Sequence, residues 1–427
     1  MKKQTFIFIL LVGFFTIQVQ SANKLLKEGI HFVTDTMALG KFVQLTADKP
    51  TDIILNTDVD VISSVEIKPA IRNIQYKIEE NRIRLIGVTS CKVAITINEN
   101  FSKPIYLFVN SSRPKEWKKL PKNTIRFKKG VHQIDKYSIN KDNVTLFLED
   151  GAILKGAFLG KGIKNVRILG NGVIDGRVTK QGLRFENSEN IEINGPVVLS
   201  RNGWSTSFFE CNNLIIKNTK ILSSEVYSDG IDLLATSNVL IDDIFIRNED
   251  DCIAIKTKKY TFAGNVENIR IQNSVFWSGI KGNALEIGWE LDGDFVRNIR
   301  FENIDIIRKE TSSYKYKRAA ISIHHVGNCK ISDILYKDIR IESVFENLVW
   351  MELIPANKWG SGGGTIENVR FENIEYQKGN DAQIVINGGT TGMIKNIEFK
   401  SLKYKGKPIT SVGDTIFKVE NAQVLVK

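Results

Sequence analysis

A short unit recurs along this chain and leaves few folds open to it. The unit opens with Asn or Asp, runs apolar, polar, apolar, and closes after a gap with a second apolar pair. It reads KNVRILGNGVI at Asn165, ENIEINGPVVL at Asn190, NNLIIKNTKIL at Asn213, SNVLIDDIFIR at Asn238 and ENIRIQNSVFW at Asn268. It continues as RNIRFENIDII at Asn298, SDILYKDIRI at Asp333, ENVRFENIEYQ at Asn368 and KNIEFKSLKYK at Asn396. The steps between leading residues are 25, 23, 25, 30, 30, 35, 35 and 28 residues. Apolar residues alternate with period two inside each unit, as half-buried strands require. Strands this short cannot each build a core, but stacked as coils they share one. Asn suits the turn between them, since its side chain tolerates the left-handed region and bonds nearby backbone. Stacked Asn residues can also bond one another between coils. The pattern predicts an all-β chain, a right-handed parallel β-helix. A β-sandwich or a propeller is the alternative, although propeller blades run longer and more evenly.

The repeat does not reach the first part of the chain. There, short alternating runs (TDIIL, RIRLIG, KVAITI) predict a small β-sandwich-like domain over residues 22–118. The β-helix is expected over 119–427, after the polar, Pro-containing stretch NSSRPKEWKKLPK. Residues 1–21 read as a cleaved export signal: Lys2 and Lys3, then an apolar run from Phe6 to Ile17, then small Val19 and Ser21 before Ala22. A membrane anchor is the alternative, but the run is short for a span of about 20 residues. The expected location is therefore secreted or periplasmic, with no membrane association after cleavage.

Charge and cysteines narrow the classes further. The formal net charge is +11, but Lys and Arg are scattered, so a solvated basic surface is expected rather than a nucleic-acid site. Cys91, Cys211, Cys252 and Cys329 form no CxxC pair, which argues against a zinc site. Their wide spacing suggests buried, free, small hydrophobes.

Aligning two repeats by their apolar residues brings acids together. In DGIDLL, Ile231 and Leu233 point inward; in DCIAIK, Ile253 and Ile255 do the same. Asp229 then lies level with Asp251, with Asp250 beside them, on coils roughly 4.8 Å apart. Carboxyl groups that close raise at least one pKa, leaving an acid and a base together at neutral pH. Glycoside hydrolysis needs that division. An Asp-rich turn or a calcium site is the bland reading of the same residues. Carried on through NALEIG and AAISIH, the alignment puts Asp232, Lys256, Glu286, Ser322 and His324 on an outward stripe. Such a stripe would floor a groove for an extended sugar chain, or be an ordinary wet sheet face. Trp289, Trp350 and Trp359 fall in irregular stretches, where they either stack on sugars or plug a core edge. Trp204 precedes a coil and would line the groove or cap it.

The stretch from about Thr124 to Lys400 resembles glycoside hydrolase family 28, the polygalacturonases, and family 49, the dextranases. GNGVIDG at Gly170–Gly176 is similar to the early Gly-Asp signature of family 28, and Trp204 followed by ECNNLIIKN to its Trp-to-Cys-Asn stretch. SDGID at Ser228 corresponds to its Asn-Thr-Asp-Gly motif, and EDDCIAIK at Glu249 to its Asp-Asp motif. The resemblance implies Asp250 as general acid, Asp229 and Asp251 activating water, inversion at the anomeric carbon, and no metal or cofactor. Taken with the outward stripe, a monomer with a polysaccharide partner is expected, and Asp232, Lys256, Asn283, Glu286, Trp289 and His324 are the candidates for binding the sugar. Two motifs depart from family 28. Asn283 stands in the place of the His of Gly-His-Gly, and Ser322-Ile323-His324 in the register of Arg-Ile-Lys. Family 49 lacks both motifs, acts on neutral glucans and carries an N-terminal β-sandwich; GAILKGAF at Gly151 and GNALEIGW at Gly282 look closer to it. Two rivals share the fold: a polysaccharide lyase using Lys256 or calcium, and a carbohydrate-binding β-helix without catalysis.

Overall fold

The computed structural model describes residues 17–20, 30–31, 40–111, 114–311, 318–390 and 393–427. The export segment expected over residues 1–21 lies outside the described residues, apart from Ile17–Gln20, which is a strand. The chain divides into two compact units, Met1–Lys119 and Leu120–Lys427.

The first unit carries two sheets. One is four-stranded, in the order Ile17–Gln20, Thr51–Asn56, Arg82–Val88, Gln75–Glu79; the other is five-stranded, with Lys41–Thr46, Ile105–Asn110 and Cys91–Ile97 at its centre. Alternate residues of both sheets, among them Val43, Leu45, Ile53, Leu55, Ile83, Leu85, Val93 and Leu107, meet in one core. The stretch expected to be a polar link instead forms a 3₁₀ turn at Lys115–Lys118 that buries Trp117.

The second unit is the parallel β-helix. A ladder of 28 strands runs through it, with an antiparallel hairpin near its C-terminal end, where Lys407–Ile409 folds back on Met393–Tyr404. Thr206–Phe209, Asn212–Lys217 and Lys220–Ser224 make one coil, and Ile231–Leu234, Ser237–Asp242 and Phe245–Asn248 make the next. Each strand pairs in parallel with its counterpart one coil on. The file that matters for function runs through β1 (Ile231–Leu234), β2 (Ile253–Lys256), β3 (Leu285–Trp289), β4 (Ala319–His325) and β5 (Asn347–Leu353). Ile231, Ile253, Leu285 and Ile321 share one inward position; Leu233, Ile255, Ile287 and Ile323 share the other. All are buried, each contributing roughly 1.5–3 kcal/mol. Further along, Phe301, Tyr336, Phe371 and Phe399 stack face to face at 4.8, 4.9 and 4.4 Å. The four cysteines are buried, and none is in a disulfide among the described residues.

The recurrent Asn has the expected role. Asn165, Asn190, Asn213, Asn238, Asn268, Asn298, Asp333, Asn368 and Asn396 all have φ between 53° and 59°. That region costs an ordinary L residue about 1–2 kcal/mol. Their side chains form a ladder: Asn190 Nδ2 donates to Asn165 Oδ1 at 2.9 Å and Asn213 Nδ2 to Asn190 Oδ1 at 3.2 Å. A second, shorter ladder links Asn303 to Asn273 and Asn373 to Asp338, both at 2.7 Å. Two open clefts of about 640 and 610 Å³ follow the first ladder, away from the acids. Asn190→Ala should cost about 1–2 kcal/mol in urea unfolding, and Asn190→Gly should recover the backbone share while still missing the two side-chain bonds. Equal losses in the two variants would mean that the left-handed turn carries no strain.

Candidate active site

The acids stand at the entry to β1 and β2. Ile231 pairs with Ile253, so Asp229 lies level with Asp251, and the Gly230 N–H donates to the Asp251 carbonyl at 2.8 Å. Asn248, fully buried, clasps the two loops: its Nδ2 donates to the carbonyls of Ser228 (2.8 Å) and Asp251 (2.7 Å). The next coil presses on the same spot through Gly282. A Cβ there would sit 1.9 Å from the Asp250 carbonyl carbon and 2.1 Å from the Asp251 nitrogen. Only a glycine lets that coil approach so closely. Asp229, Asp250 and Asp251 thus each bring an oxygen to within 4.8 Å of the others. They are 4 %, 8 % and 6 % exposed, so the cluster is nearly dry but still open to solvent.

Charge is distributed unevenly over the three. Lys256 Nζ donates to Asp232 Oδ1 at 2.7 Å and to Asp229 Oδ2 at 3.2 Å. Burial pulls this ammonium down, but Asp232 and Asp229 outweigh it and hold Lys256 well above the ordinary lysine range. Among the described residues, Asp250 makes no comparable ion pair. Burial, then the charges of Asp229 and Asp251, push its carboxyl well above the usual carboxylate range, against the opposing pull of Arg318 and Lys256. Burial and the neighbouring Glu286 push Asp251 up to about 7. The site therefore holds a protonated acid beside an ion-paired carboxylate, the arrangement that acid–base chemistry at neutral pH requires. Three carboxylate oxygens fall well short of the about six to eight that calcium takes, and two cations stand beside them. The cluster suits protons better than a metal ion.

The outward stripe has a different place from the one expected. Asp232, Glu286 and Asn283 have no accessible surface, and Lys256 and His324 almost none. They point away from the coil's core yet form no wet groove floor; Lys256 alone matches the acids in exposure, at 5 %. They are bonded to one another instead. Asn283 donates through its backbone N–H (2.7 Å) and Nδ2 (3.0 Å) to Asp251 Oδ1, and through Nδ2 to Glu286 Oε2 at 2.9 Å. Glu286 also takes a bond from the Ser322 hydroxyl and lies 2.9 and 3.0 Å from His324 Nδ1. Aromatic rings roof the stripe. Trp204 lies 4.1 Å over the Lys256 ammonium, and Trp289 stacks on His324 at 4.7 Å and 10°. Both are half-buried, and Trp204 also stacks on Phe209 at 5.8 Å and 19°. Trp350 is not in an irregular stretch: it lies within β5, level with Ser322, packed on Ala319 and Val385. Trp359 sits on the turn Asn357–Gly360, with Lys259 and Lys358 over its ring.

Three contributors escaped the sequence reading. Asn248 precedes EDDC and Gly282 opens GNALEIG, but the carbonyls that the Asn248 amide clasps and the backbone that Gly282 meets lie on other segments, which no side-chain pattern announces. Arg318 follows the residues between β3 and β4; it is buried, its charge reaches Asp250 and Asp251, and its guanidinium lies 5.9 Å from the Trp289 ring.

The profile of glycosyl hydrolases family 28 matches residues 120–426. The chain belongs to this family. Polygalacturonase QRT2 of Arabidopsis thaliana is 23 % identical over 242 residues, covering 50 % of this chain and 51 % of that protein. The chain spans about half or less of the length of the curated relatives it matches, from 29 % to 51 %. Among solved structures, Dex49A from Penicillium minioluteum superposes with a TM-score of 0.58 at 13 % identity, over 96 % of this chain and 93 % of that one. A hyperthermoactive exopolygalacturonase from Thermotoga maritima gives 0.59 at 17 % identity, over 71 % and 83 %. At these identities the likeness shows a shared fold.

The crowding has a cost that pH exposes. Asp251 holds its proton more tightly folded than unfolded. The stability it contributes is thus fully present below the unfolded value near 3.8 and is lost as pH rises through about 7. Asp251→Asn keeps the Oδ1 acceptor and removes the charge. In urea unfolding, the variant should gain on the wild type between pH 4 and 7, at up to roughly 1.4 kcal/mol per pH unit. A stability difference that is the same at pH 4 and pH 8 would refute the crowded-acid reading.

Proposed function

We propose that this protein is an exported glycosidase that hydrolyses an O-glycosidic bond of a polysaccharide or oligosaccharide, with galacturonan the first candidate substrate. The observation that carries the reading is the trio of carboxylates from successive coils, one of them held protonated and another ion-paired. Asp250 gives its proton to the leaving oxygen. Asp229, ion-paired with Lys256, and Asp251 orient and deprotonate the attacking water. Their oxygens lie closer than the about 6.5–9.5 Å typical of inverting pairs. Inversion is therefore supported by the family resemblance and by a trio large enough to supply one acid and two water ligands, not by separation. Export is supported by Lys2, Lys3 and the apolar run that follows.

A neutral glucan is the second reading, and one observation favours it. Ser322 and His324, which stand in the register of the cationic family motif, are buried, the first bonded to Glu286 and the second stacked on Trp289, and bring no fixed cation to grip a sugar carboxylate. Purified protein offered polygalacturonate and dextran separates the two by release of reducing ends. Asp250→Asn should lower turnover at least a thousandfold while leaving polysaccharide binding largely intact, since general acid catalysis contributes roughly 10²–10⁴-fold. Undiminished product formation by that variant would exclude the assignment. Unsaturated products that vanish with chelator would replace it with a lyase. Proton NMR of the first-formed anomer decides inversion.

A further inference from the structure

We propose that Glu286 and His324 form a buried positioning pair that, through Asn283, fixes the orientation and charge state of Asp251. The inference rests on the hydrolase reading of the acids and goes beyond it. Neither residue has surface to offer a substrate, so neither is catalytic. Yet Glu286 has the geometry of a hub. It receives Asn283 Nδ2 (2.9 Å), the Ser322 hydroxyl, and on its two oxygens the Nδ1 of His324 (2.9 and 3.0 Å). Asn283 completes the link: the same amide nitrogen donates to Asp251 Oδ1 at 3.0 Å, and its Oδ1 is pinned by the Ala319 N–H at 2.9 Å. An amide held at both ends cannot turn, so Asp251 presents Oδ1 inward and Oδ2 elsewhere. The stack of His324 beneath Trp289 ties this pair to the half-buried ring beside the acids.

The charges facing Asp251 come from four coils: Asp229 before β1, Asp250 and Lys256 around β2, Glu286 on β3, and Arg318 before β4. Burial is the largest influence on it, and Glu286 is the largest of the charges. Removing that charge leaves Asp251 easier to ionise; removing the Asn283 amide leaves its carboxylate with one donor fewer and harder to ionise. The two substitutions therefore move one titration in opposite directions, which a loosened fold does not do.

The test follows Asp251 in two ways, by the pH dependence of kcat/KM and by the carboxyl 13C shift of labelled aspartate assigned through Asp251→Asn. Glu286→Gln should move the titration, and the acidic limb of the rate profile, down by about one pH unit. Asn283→Ala should move both up, and Glu286→Asp, which restores the charge, should return them toward wild type. A Glu286→Gln protein that melts like the wild type with an unmoved Asp251 titration overturns the proposal. Should Glu286→Gln fail to fold, an Asn283→Ala titration that stays in place or falls overturns it equally. The hydrolase reading fails separately: Asp250→Asn and Asp251→Asn would still release reducing ends, whatever the carboxyl shifts do.

Discussion

Parallel register is the constraint on which the site depends. Coils of a β-helix repeat at about 4.8 Å, and a ladder that matches Ile231 to Ile253 has no freedom to keep Asp229 and Asp251 apart. The repulsion is resisted by backbone and amide bonds on both loops, from Gly230 to Asp251 and from Asn248 to both. Inward aliphatic stacking supplies the free energy that holds them there. A loop-borne cluster of the same acids would relax apart; here relaxation would require breaking a ladder that runs the length of the unit.

Compensation is partial, and the partiality is what makes chemistry possible. Lys256 is spent on Asp229 and Asp232, from below the acids, while Arg318 approaches from two coils further on and only moderates Asp250 and Asp251. Had each acid a cation at hydrogen-bonding distance, all would be ionised and none could donate. Had none, the cluster would hold protons throughout and offer no base. A buried ion pair is poor evidence of stability, because desolvation cancels much of its attraction. Lys256 is better understood as the group that breaks the symmetry among three otherwise similar carboxylates.

The fold was legible because its cause is local and repeated. Each Asn marks a left-handed turn and each apolar pair a coil, so counting along the chain recovers the solenoid, and the Ile231–Ile253 alignment recovers the acid trio. Alternation reports only which way a side chain leaves the sheet. It says nothing about what lies above it, which is why Asp232, Glu286 and His324 read as a groove floor and are in fact roofed by Trp204 and Trp289. The roofing rings come from Trp204, ahead of its own strand, and Trp289, at the very end of β3, where period-two patterns give out. Trp350 is hard to place for a different reason: Leu348–Met351 is an unbroken apolar run, in which period two shows neither the strand nor the face that the large residue takes. Arg318 lies just after residues with no repeat signal, and the approach of Gly282 to the Asp250–Asp251 backbone is a distance between coils, invisible to any one segment.

This layering bears on how a sugar would be told apart from its neighbours. The stripe beneath is largely bonded within itself: Lys256 gives two of its three N–H donors to carboxylates, and Glu286 is met by Asn283, Ser322 and His324. What reaches solvent is the trio's small open surface, the exposed parts of the half-buried Trp204 and Trp289, and Tyr227, which is 59 % exposed with the Lys281 ammonium over its ring. Aromatic faces favour the apolar side of a pyranose without regard to a carboxyl group. The net charge of +11, scattered over the surface, favours the approach of a polyanion without selecting how it docks. On the hydrolase reading, attraction and recognition are thus separate: the basic surface gathers an acidic chain, and the aromatic rim decides which ring sits over Asp250.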